Sequence, residues 1–195
     1  MKVGVLALQG DVPEHLSVLR QLVRGPIAVR TAADLAEVAA LFLPGGESTT
    51  IARLIEESGL WMPLRDRIQG GLPVLATCAG LILLARELAP SASGRDPPTF
   101  HALDVVVRRN DYGSQRESCE ASLVVEGLHK PLFPGVFIRS PRIVSVGPQA
   151  TPIAWRGEEV VGVRGGKLWG LAFHPELAGD LRIHRRFLAA VGGRP

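Results

Sequence analysis

Three residues of this chain have the types and the setting of a hydrolytic triad: Cys78, His174 and Glu176. Cys78 lies between apolar runs at 73–77 and 79–88, so we predict a sharp strand-to-helix turn that lifts a nucleophile above a sheet. A helix N-terminus behind the cysteine favours the thiolate, which is the reactive form. The alternative is a buried structural cysteine, a common setting for this residue type.

His174 ends the apolar run at 168–173 and therefore lies at the end of a predicted strand. In extended chain, residues i and i+2 point the same way, which lets Glu176 reach the imidazole. A carboxylate in that place fixes the tautomer of the ring and stabilises the imidazolium. We expect the pair to serve Cys78 as base and orienting carboxylate. The alternative is a capping histidine beside a loop glutamate.

A proline and two glycines at 44–46 follow another apolar run at 40–43. Glycines let the backbone approach a ligand closely and leave N–H groups free to donate. We predict that the N–H groups of Gly46 and Ala79 form an oxyanion hole for Cys78. The alternative is a plain connection from a strand to a helix.

The elements that must position these residues alternate in the first half of the chain between apolar runs and helical patterns. Strands are predicted over 3–8, 27–29, 40–43 and 73–77. Helices are predicted over 11–23, with Asp11 as its cap, and over 33–38, 48–58, 63–69 and 79–88. This rhythm is typical of a parallel sheet with helices on both faces, hence a three-layer αβα arrangement.

The second half changes to short β segments after a Pro/Ser-rich loop at 89–99. Glycines 165 and 166 predict a tight hairpin turn, since both accept positive φ. A final helix is predicted from a cap at Asp180 to Val191. We therefore predict one α/β domain over 1–195, with a mostly parallel sheet and additional antiparallel strands.

Composition excludes several classes of protein. The net charge is +3 and aromatic residues make up 5% of the chain, so a nucleic-acid footprint is missing. No apolar stretch approaches the length of a membrane helix. Two cysteines without paired Cys/His spacing indicate neither a disulfide framework nor a metal site. We expect a cytoplasmic protein that has no metal and no cofactor and binds neither nucleic acid nor membranes.

Taken together, the motifs resemble those of the class I (triad) glutamine amidotransferases, which have a flavodoxin-like fold. The resemblance is most specific to the glutaminase subunit of pyridoxal 5′-phosphate synthase, the PdxT family. The segments that carry it span nearly the whole chain: LALQGD at 6–11, PGGESTTI at 44–51, TCAGLILLA at 77–85, Arg109-Asn110, Tyr112-Gly113, FIR at 137–139 and FHPEL at 173–177.

The resemblance implies hydrolysis of L-glutamine through a Cys78 thioester, with ammonia passed to a synthase subunit of the PdxS family in a large hetero-oligomer. It places Gln9 in the partner-facing region. Arginine forks suit a carboxylate, and the substrate contacts that it implies are Gly46, Glu47, Ser48, Arg109, Ile138 and Arg139.

The chain departs from the expected family pattern at Ala76, Asp111 and Ser114, which leaves the triad untouched. Two other interpretations stay open on the sequence. One is a glutaminase subunit of another amidotransferase, such as that of histidine biosynthesis. The other is a non-catalytic subunit that only docks.

Overall fold

The computed structural model describes residues 1–90, 96–109 and 119–192. Helices and strands alternate in the first half, as predicted, and β structure dominates the second. The helices are α1 (Val12–Arg20), α2 (Ala32–Glu37), α3 (Ser48–Glu57), α4 (Trp61–Gln69), α5 (Ala79–Leu84) and α6 (Arg182–Ala190), with a 3₁₀ turn at Pro175–Leu177. The strands are β1 (Val3–Leu6), β2 (Ile27–Val29), β3 (Ala40–Leu43), β4 (Val74–Thr77), β5 (Ala85–Leu88), β6 (Leu103–Arg108), β7 (Cys119–Val125), β8 (Phe133–Phe137), β9 (Arg142–Val146), β10 (Thr151–Arg156), β11 (Glu159–Gly165) and β12 (Leu168–Leu171).

The described strands form a nine-stranded sheet in the order β2-β1-β3-β4-β12-β11-β10-β7-β8 and a three-stranded sheet in the order β5-β6-β9. From β2 to β12 all neighbours are parallel. From β12 onward they are antiparallel. The predicted α/β fold is confirmed, and the antiparallel strands extend the same sheet. The single domain stays a prediction.

Helices cover opposite faces of the parallel strands because side chains alternate along each strand. Phe42 of β3 stacks on His184 and meets Phe187, both of α6. Gly80 of α5 instead approaches the backbone of Leu43, the next residue of β3. Every strand residue of β1, β3 and β4 is buried, as expected for parallel strands covered on both sides.

The predicted helix over 79–88 is only partly correct. It ends at Leu84, and Ala85–Leu88 forms β5, which pairs in parallel with β6. A continuous apolar run fits a buried helix and a buried strand equally well, so periodicity cannot find this boundary. The second cysteine, Cys119, begins β7 and is exposed.

Both predicted caps need correction. Asp11 occupies the N-cap of α1, yet its side chain caps nothing. The N-cap of α6 is Leu181, although the Asp180 carboxylate still accepts the Arg182 N–H at 2.9 Å. No helix in the described ranges is both long and apolar enough to cross a membrane.

Candidate active site

Cys78 sits on the predicted elbow, between the end of β4 and the first residue of α5. Its φ of 47° and ψ of −103° place a non-glycine residue in a strained conformation, a feature that concentrates at functional sites. The Cys78 N–H donates to the Leu171 carbonyl of β12 at 2.8 Å, which fixes the turn to the sheet. Its Sγ points to the carbonyl of Ile138, 3.9 Å away.

His174 follows β12, the parallel neighbour of β4, and the register pairs Leu171 with Thr77. Parallel strands end at the same edge of a sheet, so both reactive side chains emerge there. The His174 N–H donates to the Val136 carbonyl of β8 at 2.8 Å. The prediction that strand ends bring cysteine and histidine together is therefore correct.

Glu176 contacts His174 as predicted, but the backbone between the two residues has a different conformation from the predicted one. Its Oε1 lies 2.9 Å from His174 Nδ1. Glu176 belongs to the 3₁₀ turn that starts at Pro175, and the chain there is not extended. Proline favours the first position of a helical turn, and the tight turn folds the carboxylate back onto the ring.

A second layer of buried groups holds Glu176. The Thr77 hydroxyl donates to Glu176 Oε1 at 3.3 Å. His15 Nε2 lies 3.2 Å from the Thr77 hydroxyl and 3.5 Å from Glu176 Oε1. His15, Thr77 and Glu176 are all buried, so this network locks the carboxylate away from solvent. The motif suggested no role for His15, and only the folded chain shows what it contacts.

Burial and charge oppose each other at these groups. Burial lowers the pKa of His174, but Asp11, Cys78 and Glu176 outweigh it and raise that pKa well above its ordinary value. For Glu176, burial raises the pKa, whereas His15 and His174 more than offset this and bring it to about 2. Burial lowers the pKa of His15. The site therefore favours an imidazolium beside a carboxylate.

Loop 44–46 after β3 packs against His174 and the loop after β1. A Cβ on Gly45 would stand 2.4 Å from Cε1 of His174, so only glycine fits. Gly46 has φ +145°. The Glu47 N–H donates to Oε1 of Gln9 at 3.0 Å, and the Asp11 N–H donates to the Gly45 carbonyl at 3.1 Å. Two hydrogen bonds therefore hold the loop that contains Gly46, the predicted oxyanion donor.

A cavity of about 110 Å³ opens at this edge of the sheet. It brings together most residues that the sequence proposed, together with two that it did not, Asp11 and Ile82. Its lining residues are Asp11, Gly46, Glu47, Ser48, Cys78, Ile82, Arg109, Ile138, Arg139 and His174. Ala79 follows Cys78 directly at the start of α5, and Glu176 lies behind His174.

Charged side chains surround the cavity mouth. Arg139 forms an ion pair of 2.6 Å with Glu47, and both side chains are nearly half exposed. Arg109 lies 3.2 Å from Asp96 and is mostly buried. Arg139 also has a positive φ of 45°. Of the motif around Arg109, residues 110–114 lie outside the described residues, including the departures Asp111 and Ser114.

The contact of Asp11 with His174 was not predicted from the sequence. Its Oδ2 lies 3.1 Å from His174 Nδ1, the same nitrogen that Glu176 contacts. Ligand atoms of these three residues fall within 4.8 Å of one another, a spacing that a metal ion also needs. Their mutual contacts account for that spacing, and the absence of a metal stays a prediction. Asp11 lies in the loop between β1 and α1, and the sequence marked it only as a helix cap.

Comparison with known proteins places this site in a family. Residues 5–192 match the SNO glutamine amidotransferase family. The chain belongs to that family. It is 49% identical to the pyridoxal 5′-phosphate synthase subunit PdxT of Deinococcus radiodurans, over 100% of this chain and 99% of that protein. It is 48% identical to the PdxT of a Parafrankia species, over 97% of this chain and 93% of the relative.

Solved structures show the same fold. A crystal structure of a glutamine amidotransferase matches with a TM-score of 0.90 and 42% identity, covering 98% of this chain and all of the other. A putative GMP synthase component from Thermoplasma acidophilum matches with a TM-score of 0.68 and 18% identity, over 98% of this chain and 94% of that one. The second match shows the shared fold only. The family and fold predicted from the motifs are confirmed.

Proposed function

We propose that this member of the SNO family is the glutaminase subunit of a pyridoxal 5′-phosphate synthase, with Cys78 as its nucleophile. The observation that carries the proposal is the cavity into which Cys78 and His174 both open, with Glu176 bound to the far side of the imidazole. A nucleophile, a base and an orienting carboxylate are the parts that acyl transfer from an amide requires.

Hydrolysis proceeds through a thioester. The Cys78 thiolate attacks the side-chain amide carbon of glutamine, and the oxygen of the tetrahedral intermediate takes the negative charge. His174 Nε2, buried without a hydrogen bond to any described residue, gives its proton to the leaving nitrogen, and ammonia departs. Water then attacks the γ-glutamyl thioester while His174 takes its proton. Glutamate leaves and the thiolate–imidazolium pair returns.

The oxyanion is stabilised by the N–H groups of Ala79 and Gly46. Ala79 lies where the elbow turns into α5, and Gly46 lines the same cavity as Cys78. Gly46 has a backbone conformation that L side chains rarely adopt, so its peptide is set by glycine alone.

Substrate recognition uses the charged mouth of the cavity. The guanidinium groups of Arg109 and Arg139 suit the α-carboxylate of glutamine. The Glu47 carboxylate suits its α-ammonium group, and Ser48 and Ile138 complete the walls. Each charged group of the substrate thus faces a protein group of opposite charge.

The ammonia passes to a synthase partner of the PdxS family, and Gln9 faces that partner. The relatives' name as a synthase subunit supports the partnership. The same name favours a subunit of pyridoxal 5′-phosphate synthase over the glutaminase subunit of histidine biosynthesis. Gln9 holds the N–H of Glu47 beside the predicted oxyanion donor, so a partner that moves the Gln9 loop would also change the cavity.

The experiment measures ammonia release from glutamine by the purified chain, alone and with its synthase partner. Activity should rise with the partner, and Cys78→Ala should lower it by at least about a thousandfold. Cys119→Ala is the matched control, since Cys119 is exposed and lies outside the cavity. Full activity in Cys78→Ala would refute the proposal, as would an equal loss in both variants.

A further inference from the structure

Two carboxylates approach one nitrogen of the catalytic imidazole. Glu176 Oε1 lies 2.9 Å from His174 Nδ1 and accepts its hydrogen bond, and Asp11 Oδ2 lies 3.1 Å from the same atom. A triad needs one such carboxylate. The presence of a second one, from a different element of the fold, calls for a separate role.

Asp11 does not sit there as a by-product of capping. An aspartate at an N-cap ordinarily accepts a backbone N–H of the first helical turn, but the side chain of Asp11 accepts none. The backbone holds the residue in place instead, because its N–H donates to the Gly45 carbonyl at 3.1 Å. The side chain is thereby free to turn toward His174.

The Gly45 position leaves room for the contact. An ideal Cβ there would stand 2.7 Å from Asp11 Oδ2 and 2.9 Å from His174 Nδ1. Any larger residue would fill the space in which the carboxylate and the ring meet. Two loops at this edge of the sheet are thus shaped around the pair.

The two carboxylates differ in their surroundings. Glu176 has a fully buried side chain and is bonded to Thr77, with His15 nearby. The side chain of Asp11 is 29% exposed and lines the cavity that holds Cys78. One carboxylate is therefore fixed inside the protein, and the other faces the side from which substrate and water arrive.

We propose that Asp11 is a second positioning residue for His174, which stabilises the imidazolium from the cavity side and so keeps Cys78 as a thiolate. The charged and titratable groups that face the imidazole are Asp11 from the loop before α1, Cys78 from the elbow and Glu176 from the 3₁₀ turn, with His15 of α1 behind Glu176. Two negative charges on one ring act in the same direction, so each partly replaces the other when one is removed.

The test follows the alkylation of Cys78 by iodoacetamide as a function of pH in the isolated chain, with Cys78 and Cys119 resolved by peptide mass spectrometry. Only the thiolate reacts. The readout needs neither glutamine nor a partner, so it can fail or succeed independently of the proposed glutaminase activity. Asp11→Asn, Glu176→Gln and the double variant are compared with the unmodified chain. Glu14→Gln is the control, since it removes a charge from the first turn of α1, close to Asp11 in the chain, without a contact to His174.

We expect Asp11→Asn to move the alkylation profile of Cys78 to higher pH by about one unit, a tenfold loss of rate at fixed pH below the midpoint. The double variant should move it by more than the two single shifts together. Asp11→Asn should still fold, with an unfolding temperature lower by only a few degrees, because the side chain caps nothing and only its charge interaction with His174 is lost. Asp11→Ala checks that the loss of the carboxylate, and not the new amide, causes the shift.

The proposal fails if the profile of Asp11→Asn coincides with that of Glu14→Gln, or if the double variant coincides with Glu176→Gln. With the partner present, Asp11→Asn should lower kcat about tenfold and leave the KM for glutamine within about twofold. A change confined to KM would make Asp11 a substrate contact and would equally overturn the positioning role.

Discussion

The parallel and the antiparallel parts of the large sheet both contribute to the cavity, but in different ways. The parallel strands β1, β3, β4 and β12 end at the edge where Gln9, Gly46, Cys78 and His174 lie, directly or within three residues of the strand end. Arg139 instead follows the antiparallel strand β8, and Arg109 follows β6 of the small sheet.

The difference lies in what fixes each side chain. The reactive groups of the parallel edge are buried, and neighbouring backbones touch them at close range. The arginine of the antiparallel side, Arg139, is 42% exposed and is held by one ion pair to Glu47. Chemistry needs the precise placement of the first group. Recognition of a charged substrate tolerates a long, partly exposed side chain such as that of Arg139.

Two glycines test whether tight packing matters more in the parallel part of the sheet than in the antiparallel part. An ideal Cβ on Gly80, in α5, would stand 2.3 Å from the Leu43 carbonyl of β3. Gly80→Ala should therefore push the helix off the sheet and cost about 3 kcal/mol or more of unfolding free energy. Gly166, in the β11–β12 hairpin, has φ +56° and open space around its Cβ position.

Gly166→Ala is the control for that measurement. It carries only the backbone strain of a left-handed residue, about 1 kcal/mol. Urea unfolding of both variants measures the two costs. Equal losses would mean that the parallel edge is no more constrained than the hairpin.

The fold was predictable where one physical signal dominates. Runs of buried apolar residues identified the parallel strands, and the predicted strand ends identified the edge where Cys78 and His174 lie. The boundary at Ala85 was not predictable, because an apolar run fits both a helix and a strand. Nor was the contact of Asp11 with His174, since the local sequence predicts a cap and only the packing of two loops removes it.

Gly45→Ala tests the parallel edge at the site itself. Its Cβ would meet His174 Cε1 at 2.4 Å, so the ring must shift away from its carboxylates. A displacement of this size should lower kcat about a hundredfold. Ammonia release with the partner present measures the loss, and circular dichroism checks that the variant is folded. An unchanged kcat would show that His174 tolerates movement.

His184 of α6 is a polar residue buried against the parallel strands, and it does not line the cavity. It stacks on Phe42 and packs 5.8 Å from His15, and neither of its ring nitrogens is bonded to a described residue. Burial lowers its pKa to about 3. The unfolded chain therefore takes up this proton first as the pH falls below about 6.5, and its contribution to stability is lost between that pH and the folded pKa.

His184→Leu should flatten this acid dependence. The unmodified chain should lose up to about 1.4 kcal/mol more per pH unit than the variant between pH 6 and 4. Urea unfolding at several pH values measures both slopes. Parallel slopes would mean that His184 takes up its proton as readily in the folded chain as in the unfolded one.

Glu47→Gln addresses the ion pair that holds Arg139 of the antiparallel side, and it has the smallest expected effect. The variant removes the charge that pairs with Arg139 across the cavity mouth. A half-exposed charge contact contributes about 0–1 kcal/mol, so losing the contact of Glu47 with the α-ammonium of glutamine should raise the KM about threefold while kcat stays unchanged. Initial rates over a range of glutamine concentrations separate the two constants. A fall in kcat as large as that of Gly45→Ala would contradict this difference between the two parts of the sheet. It would mean that the exposed ion pair positions reacting atoms as tightly as the buried strand ends do.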